Sequence, residues 1–418
     1  MMIKRVVLGV FCLITILSCQ KNDFSKEEVF IKLYGNSLNQ EAVKIIALDD
    51  ERYAILASSE TKKAEVDGEL VLLNKGVLYF VDESGNQLGN EVYFPSGDSN
   101  SFTPTDVLKH GDNLYFSGFS EKSMAIVKTD LNGIESDSKF KFKTYEKENA
   151  VTVANTVFIS ESNELIISGY LDTTESTSQS GGDLGTRTPY SVLLDITTGD
   201  FLKGNTGGSG AGLYGEYKSV EGSGTIYAYL MGSEYSLTDG ASSSPDVLIE
   251  KVDPLDLNLY DTYANNSIVS DVVGKGGYLL PSKIEMLMVG EYAYTDKLKN
   301  IVLLTLDVSG DGLIDKKDPI YLSDEYSVSP EGVTSDSEGN IVVVGTAEDD
   351  ENGDQIYFRM LRANGEMEDA LLFGGLGDEQ AVGVLNANDG GFLLLGTSGF
   401  EDNKMINLVK VSKDGKIK

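Results

Sequence analysis

Apolar residues in this chain come in short runs rich in Val, Ile, Leu, Tyr and Phe, and Gly, Asp and Asn break those runs at close intervals. The stretch LLFGGLGDEQAVGVLNANDGGFLLLG, Leu371 to Gly396, reads as a strand, a glycine-rich corner, a second strand, a turn at Asn388–Gly391 and a third strand closed by glycine. β-Branched and aromatic runs bounded in this way are the pattern of antiparallel strands. No helical period of about 3.6 residues is sustained after the N-terminal segment, so no long helix is expected.

The same phrase is written several times. Leu33–Ser59 aligns without a gap to Leu372–Ser398, placing Tyr34 on Phe373, Gly35 on Gly374, Asp50 on Asp389 and Tyr53 on Phe392. Gly332–Thr346 overlays Gly383–Thr397. A strand ending in glycine recurs at Gly118, Gly169, Gly232 and Gly290, with Ala57 in the glycine's place near the start, which makes seven units about 50 to 60 residues apart. A further apolar strand running into a turn follows each, as in Val77–Gly85, Met124–Gly133, Ser191–Gly199, Val247–Asp256, Ile301–Gly310, Ile356–Gly365 and Ile406–Gly415. Asp-x-x-Gly supplies tight-turn chemistry, and Gly within the pattern allows positive φ or close backbone approach.

A four-stranded unit cannot bury both its faces alone, so such units stack. The period and strand count predict an all-β fold: a seven-bladed β-propeller of four-stranded antiparallel blades over residues 29–418. The last unit lacks an outer strand, and the chain begins with an extra one, Val29–Gly35. That strand is expected to pair with Met405–Val411 and close the ring, leaving no open edge. The wording FGG-x-GDE-x-A, DGGFLLLGT and KVSKDG also resembles a propeller-like repeat of secreted proteins of the Bacteroidota. The resemblance is specific in units one, six and seven and loose in units two to five.

Ahead of the repeats, MMIKR is a short cationic start and Val6–Ile16 an apolar run too short to span a bilayer comfortably. ILSC, Ile16 to Cys19, resembles the lipobox of bacterial lipoproteins; the alternative is an ordinary secretory signal with an incidental cysteine. The resemblance implies removal of residues 1–18, acylation of Cys19 (palmitate among the chains), and a tether over residues 19–28. Cys12 would leave with the signal, so the mature chain would have no disulfide and no cysteine nucleophile. The polar stretch behind Cys19 resembles, loosely, the export signal of Bacteroidota surface lipoproteins, which implies an outer-membrane anchor and display at the cell surface.

Acids outnumber bases 66 to 34, for a net charge of −32 spread along the chain. That argues against nucleic acid as a partner and is the ordinary mark of solubility. One acidic stretch is organised more closely. Asp307–Asp318 reads as a twelve-residue calcium loop with Asp307, Ser309, Asp311, the Leu313 carbonyl, Asp315 and Asp318 as oxygen donors and Gly312 at the sharp turn. Ser309 and Asp318 depart from the usual pattern, the flanks are strands, and a structural Ca²⁺ is expected there. An acidic hairpin turn is the alternative.

The single histidine, His110, lies in a turn between strands and reads as a solvated turn residue, and without a second histidine or a free cysteine Cys-His and multi-histidine zinc chemistry are excluded. Glycoside chemistry needs only two carboxylates and stays open. Four longer inserts follow the glycine-ended strand, at Ser58–Asn74, Asp172–Thr188, Ser233–Pro245 and Glu291–Asn300, and should emerge on one face. Insertions gathered on one face of a repeat fold often mark the binding face. Tyr235, Tyr292 and Tyr294 are the candidate contacts for a sugar or peptide. The expectation is a noncatalytic binding or scaffold protein for a protein or glycan, a monomer or an accessory subunit of an envelope complex; the alternative is a carboxylate-dependent glycan-active enzyme.

Overall fold

A computed structural model describes residues 29–416 apart from scattered segments, the longest being 173–186 and 235–245. Residues 1–28, with Cys19, lie outside the described residues. Among the described residues the regular elements are all strands.

Strand β1 (Phe30–Tyr34) comes first. The first four-stranded sheet follows, in the order β2 (Gln40–Ala47), β3 (Arg52–Val66), β4 (Glu69–Asp82), β5 (Val92–Phe94). The second runs β6 (Thr103–His110), β7 (Asn113–Ser120), β8 (Ser123–Asp130), β9 (Phe142–Tyr145). An eight-stranded sheet comes next. Its first half is β10 (Val151–Ile159), β11 (Leu165–Asp172), β12 (Arg187–Leu194) and β13 (Phe201–Thr206). Its second half is β14 (Leu213–Val220), β15 (Ala228–Glu234), β16 (Asp246–Val252) and β17 (Leu259–Ala264). Among the described residues the halves are joined only through the pair Arg187↔Leu213.

Next is a five-stranded sheet of β18 (Val272–Leu279), β19 (Glu285–Tyr294) and β20 (Leu298–Asp307), with β21 (Ile314–Asp315) and β22 (Ile320–Leu322) both on β20. Another four-stranded sheet follows: β23 (Ser327–Ser335), β24 (Ile341–Glu348), β25 (Gln355–Leu361), β26 (Leu371–Phe373). The last contains β27 (Asp378–Asn386), β28 (Phe392–Phe400) and β29 (Asn403–Val411), and its fourth strand is β1. Phe30 pairs with Lys410 and Tyr34 with Ile406, antiparallel, as the strand inventory of the sequence predicts.

The middle strands of the first and second sheets are apolar on both faces because these sheets are covered on both sides. On β7, Leu114 and Phe116 enter a core shared with Ala54, Leu56 and Leu78 of the first sheet. Tyr115 between them enters a core with Ile167 and Val192 of the next sheet. The period-two alternation of a strand thus sorts side chains between two neighbours rather than between core and water. Likewise Tyr53, Ile55 and Ala57 pack against Leu393, Leu395, Ile406 and Leu408, so the first sheet lies on the last. The architecture is propeller-like: four-stranded antiparallel sheets stacked face to face.

The glycines of the repeat lie within their strands, not at the strand ends, and the register shows why. Each first strand carries a β-bulge opposite them, with shifts at Ala42/Lys44, Pro104/Asp106, Ala154/Thr156, Pro330/Gly332 and Ala381/Gly383. A β-carbon on Gly118, Gly169 or Gly345 would stand 2.1, 1.9 or 2.4 Å from the carbonyl oxygen of Thr103, Val153 or Ser329. The backbone of the bulged strand takes the space a side chain would need. Among the described residues the Asp-x-x-Gly turns at Asp82, Asp130 and Asp336 form as read. Asp82 Oδ1 accepts the N–H groups of Ser84 and Asn86, and Gly85 has φ 71°.

Candidate functional site

The first strands of the sheets converge on a central cavity of about 660 Å³. Its wall draws on β2, β6, β10, β18, β23 and β27, so it is a channel between the first strands of the stacked sheets. The bulged residues Val43, Thr105, Asn155, Glu331 and Val382 all line it. A bulge re-aims one side chain, and here the repeat aims one from each of β2, β6, β10, β23 and β27 at a common space.

On one side of the channel the residues after the bulge form a cross-linked node. Asp106, 5% exposed, receives Lys44 Nζ at 2.5 Å, Thr156 Oγ1 at 2.8 Å and the Val157 amide at 3.0 Å, together with its own neighbour's amide, Val107, at 2.8 Å. One carboxylate therefore ties β2, β6 and β10 together. Such a buried charge is tolerated because donors surround it. On the other side the corresponding positions are Gly276, Gly332 and Gly383.

Lys44 and Asp106 carry no local motif. The available signal was their alignment: 44, 106 and 156 occupy one repeat position, and a lysine, an aspartate and a threonine there compose a ready hydrogen-bonded set.

At the opposite rim from the Asp-x-x-Gly turns, two of the four inserts are strand rather than loop. Ser58–Asn74 continues β3 and β4 as a ladder from Ser58↔Gly76 out to Val66↔Glu69. Pairing with β2 ends at Ser59 and β5 reaches only Gly76, so residues 61–66 and 69–73 project as a two-stranded arm. At about 3.3 Å per residue the arm is roughly 20 Å long. Glu291–Asn300 similarly extends β19 and β20. The other two inserts lie mostly outside the described residues.

The candidate tyrosines separate. Tyr292 sits in β19 at 6% exposure with its ring edge-on to Tyr321, centroids 5.2 Å apart, so it serves packing and is not a loop contact. Burial of the side chain is the correction to its expected ligand role. Tyr294 ends the same strand, and Tyr235 lies outside the described residues. In the acidic loop, Asp307 Oδ1 accepts the Ser309 amide at 2.9 Å and its hydroxyl at 2.5 Å. Asp307 and Asp315 end strands that pair with each other, Asp307 opposite Ile314 and Asp315 opposite Leu306, while Leu313 is buried and Asp318 exposed. Asp311 and Gly312 lie outside the described residues. His110 is exposed at the end of β6.

A group of carboxyls stands at the insert rim between the last two sheets. Burial raises the pKa of Glu379, reinforced by the Asp378 charge and opposed by the Gly375 amide. Burial likewise raises that of Asp354, with Asp378 and Glu348 adding and Lys299 opposing.

No family model matches the chain, and no curated protein matches it. Among solved structures, a puromycin-hydrolyzing peptidase of Mycobacterium tuberculosis superposes with TM-score 0.50 at 10% identity, over 91% of this chain and 53% of that one. The chain spans about half the length of that peptidase. The β-propeller domain of Nup133 from Vanderwaltozyma polyspora gives 0.43 at 9% identity, over 88% and 100% of the two chains. Extracellular domains 1-2 of Drosophila semaphorin 1b give 0.47 at 8%, over 92% and 87%. At such identities the likeness is one of fold.

Proposed function

We propose that the protein is a cell-envelope lipoprotein whose body is a seven-bladed propeller closed by its N-terminal strand, and that it works by binding a protein or glycan rather than by chemistry. Dividing the eight-stranded sheet at its single joining pair gives seven units, which matches the sequence period. Closure through β1 is supported by the packing of the last sheet on the first.

Cys19 with its lipid would lie a short tether away from Phe30. Phe30 packs beside Gly85, at the Asp-x-x-Gly turn end of the sheets. The inserts leave from the other end, so an anchor at Cys19 turns the insert-bearing rim away from the membrane. A Ca²⁺ held by the Asp307–Asp318 loop would stiffen the fifth blade at the turn end.

The observation that carries the binding reading is the β3–β4 arm. It is an extension of regular ladder with no further strand paired to it among the described residues, and it stands on the rim opposite the Asp-x-x-Gly turns, which an anchor at Cys19 would turn outward. A free ladder of this kind presents backbone donors and acceptors to an added strand or a docked surface. The central acid, Asp106, is saturated by donors, which speaks for a structural and against a catalytic use.

The test is affinity electrophoresis and product analysis on a panel of envelope and plant polysaccharides and on extracted outer-membrane proteins. The full chain and a variant with residues 61–73 replaced by a two-residue turn are run together. Retention without product, lost on trimming, supports the reading. Product formation moves it to the carboxylate enzyme, and retention indifferent to trimming removes the arm from the binding face.

A further inference from the structure

We propose that the central channel is a second, separate binding site, and that its ligand is a small neutral molecule with an apolar face and hydroxyl edges, of the mono- or disaccharide class. The volume, about 660 Å³, lies in the range of ordinary small-molecule pockets, which runs from about 300 to 1,000 Å³.

The space has a specific origin. Seven similar strands around an axis would fill the channel evenly. Here the positions following the bulge carry Lys44, Asp106 and Thr156 on one side, bonded to one another, and Gly276, Gly332 and Gly383 on the other. A β-carbon on Gly383 would meet nothing within 4 Å, and its φ is outside the left-handed region. Neither crowding nor backbone conformation therefore demands glycine at 383. What the glycine provides is room.

The wall beside that room has two chemistries. Val43, Ile46, Val382, Val384 and Leu385 are only half-buried and turn apolar surface to the cavity. Half-buried apolar side chains inside a concavity are surface that a ligand's apolar face would cover. Polar contacts come from Thr105, Asn155 and the partly buried Tyr278, all neutral. The charged residues of the wall are Lys44, already paired with Asp106, and Glu331. Among the described residues that line the wall the one cation, Lys44, is already paired with Asp106, which together with a net charge of −32 disfavours an anion, and the neutral amide and hydroxyl groups suit a polyol.

The experiment is isothermal titration and saturation-transfer NMR on the full chain with glucose, galactose, maltose, cellobiose and N,N′-diacetylchitobiose, and with glucuronate and galacturonate as anionic counterparts. At least one neutral sugar is expected to bind. G383L is expected to weaken it at least tenfold while the melting temperature holds or rises, because the added side chain enters open space. If G383L fails to fold, G383A and N155A replace it, with the same weakening expected in smaller degree.

No binding by any neutral sugar, equal binding by the uronates, or unchanged affinity in folded G383L would each overturn the proposal. Trimming residues 61–73 should leave this affinity unchanged, so failure of the arm as a docking element and failure of the channel site read out separately.

Discussion

The side-chain oxygen of Thr397 accepts the backbone N–H of Ala42 at 2.9 Å, joining the last sheet to the first across the axis-facing strands. Thr346 accepts the N–H of Ala381 at 3.0 Å in the same way, joining the sixth unit to the seventh. Each threonine follows the glycine of its unit, and each amide belongs to the residue before the bulge. In the units that follow Ser58 and Glu291, which stand in the threonine's place, the receiving residue is Pro104 or Pro330. Proline has no N–H to satisfy. At these four joints the donor is either capped or deleted.

A double-mutant cycle tests this. T397V leaves a buried amide without its acceptor and should cost about 1–3 kcal/mol in urea unfolding. A42P adopts the solution found at 104 and 330, and the pair T397V/A42P should recover most of the loss. Additive destabilisation in the double variant would show that Ala42 and Thr397 act independently.

The N-terminal strand uses a joint of its own. Tyr34 Oη donates to the Gly85 carbonyl at 2.6 Å, as Tyr145 Oη of β9 donates to the Gly199 carbonyl at 2.7 Å. Tyr34 therefore occupies the place that an outer strand's tyrosine holds elsewhere, and burial with Asp82 nearby keeps its hydroxyl protonated. Y34F should cost about 0.5–1.5 kcal/mol. Removal of residues 29–35 should do far more, since it uncovers the edge of β29 to pairing with other chains. Gel filtration of that deletion is expected to show self-association, and a well-behaved monomer of unchanged stability would deny β1 its closing role.

Asp106 carries a larger prediction. D106N keeps the shape but turns an amide donor toward groups that already donate, Thr156 Oγ1 and the Val157 amide, or toward Lys44. Loss of charge-assisted bonds at a buried site should cost about 3–5 kcal/mol in unfolding free energy. D106N/K44M should not rescue it fully, because the Thr156 and Val157 contacts remain broken.

The strand inventory was legible because Gly345, Gly396 and the turn residues Asp82 and Asp336 mark places where backbone geometry leaves few choices of residue. What joins the sheets was not legible in the same way. Thr397 and Ala42 are ordinary strand residues until the fold brings positions 355 apart in sequence into contact. The arm at 61–73 carries a mark in the sequence, Asp67-Gly68, a dipeptide common in hairpin turns, although Ser58–Asn74 reads first as an insert. Tyr292 falls in another insert, and the extension of β19 beyond Gly290 that buries it has no local mark.

The acidic loop gives a metal prediction independent of the folding joints. Adding Ca²⁺ to metal-free protein should raise the melting temperature by several degrees, and D307N or D311N should abolish the shift. Mg²⁺ should not substitute, since it holds its waters and demands a tighter octahedron. A melting temperature indifferent to Ca²⁺ and to chelator would leave the loop as a hairpin closed by the Asp307–Ser309 contacts and the pairing of β20 with β21.

Glu379, at 2% exposure, supplies a pH dependence whose sign is fixed by its environment. Burial raises its pKa above the ordinary value of 4.5, so the native state holds its proton where the unfolded chain has lost it. Its contribution to stability is then full below the unfolded value and is lost as pH rises through the raised native value. Removing the ionisable group should remove that loss. Gln40 occupies the equivalent position of the first sheet and accepts the Tyr79 hydroxyl at 2.6 Å, so an amide is compatible with the site. E379Q is expected to melt above the parent protein at pH 8, with the gap narrowing as pH falls toward about 4.5. Melting curves of both proteins across that range decide it, and a gap that widens on acidification would mean that Glu379 is held ionised in the native state.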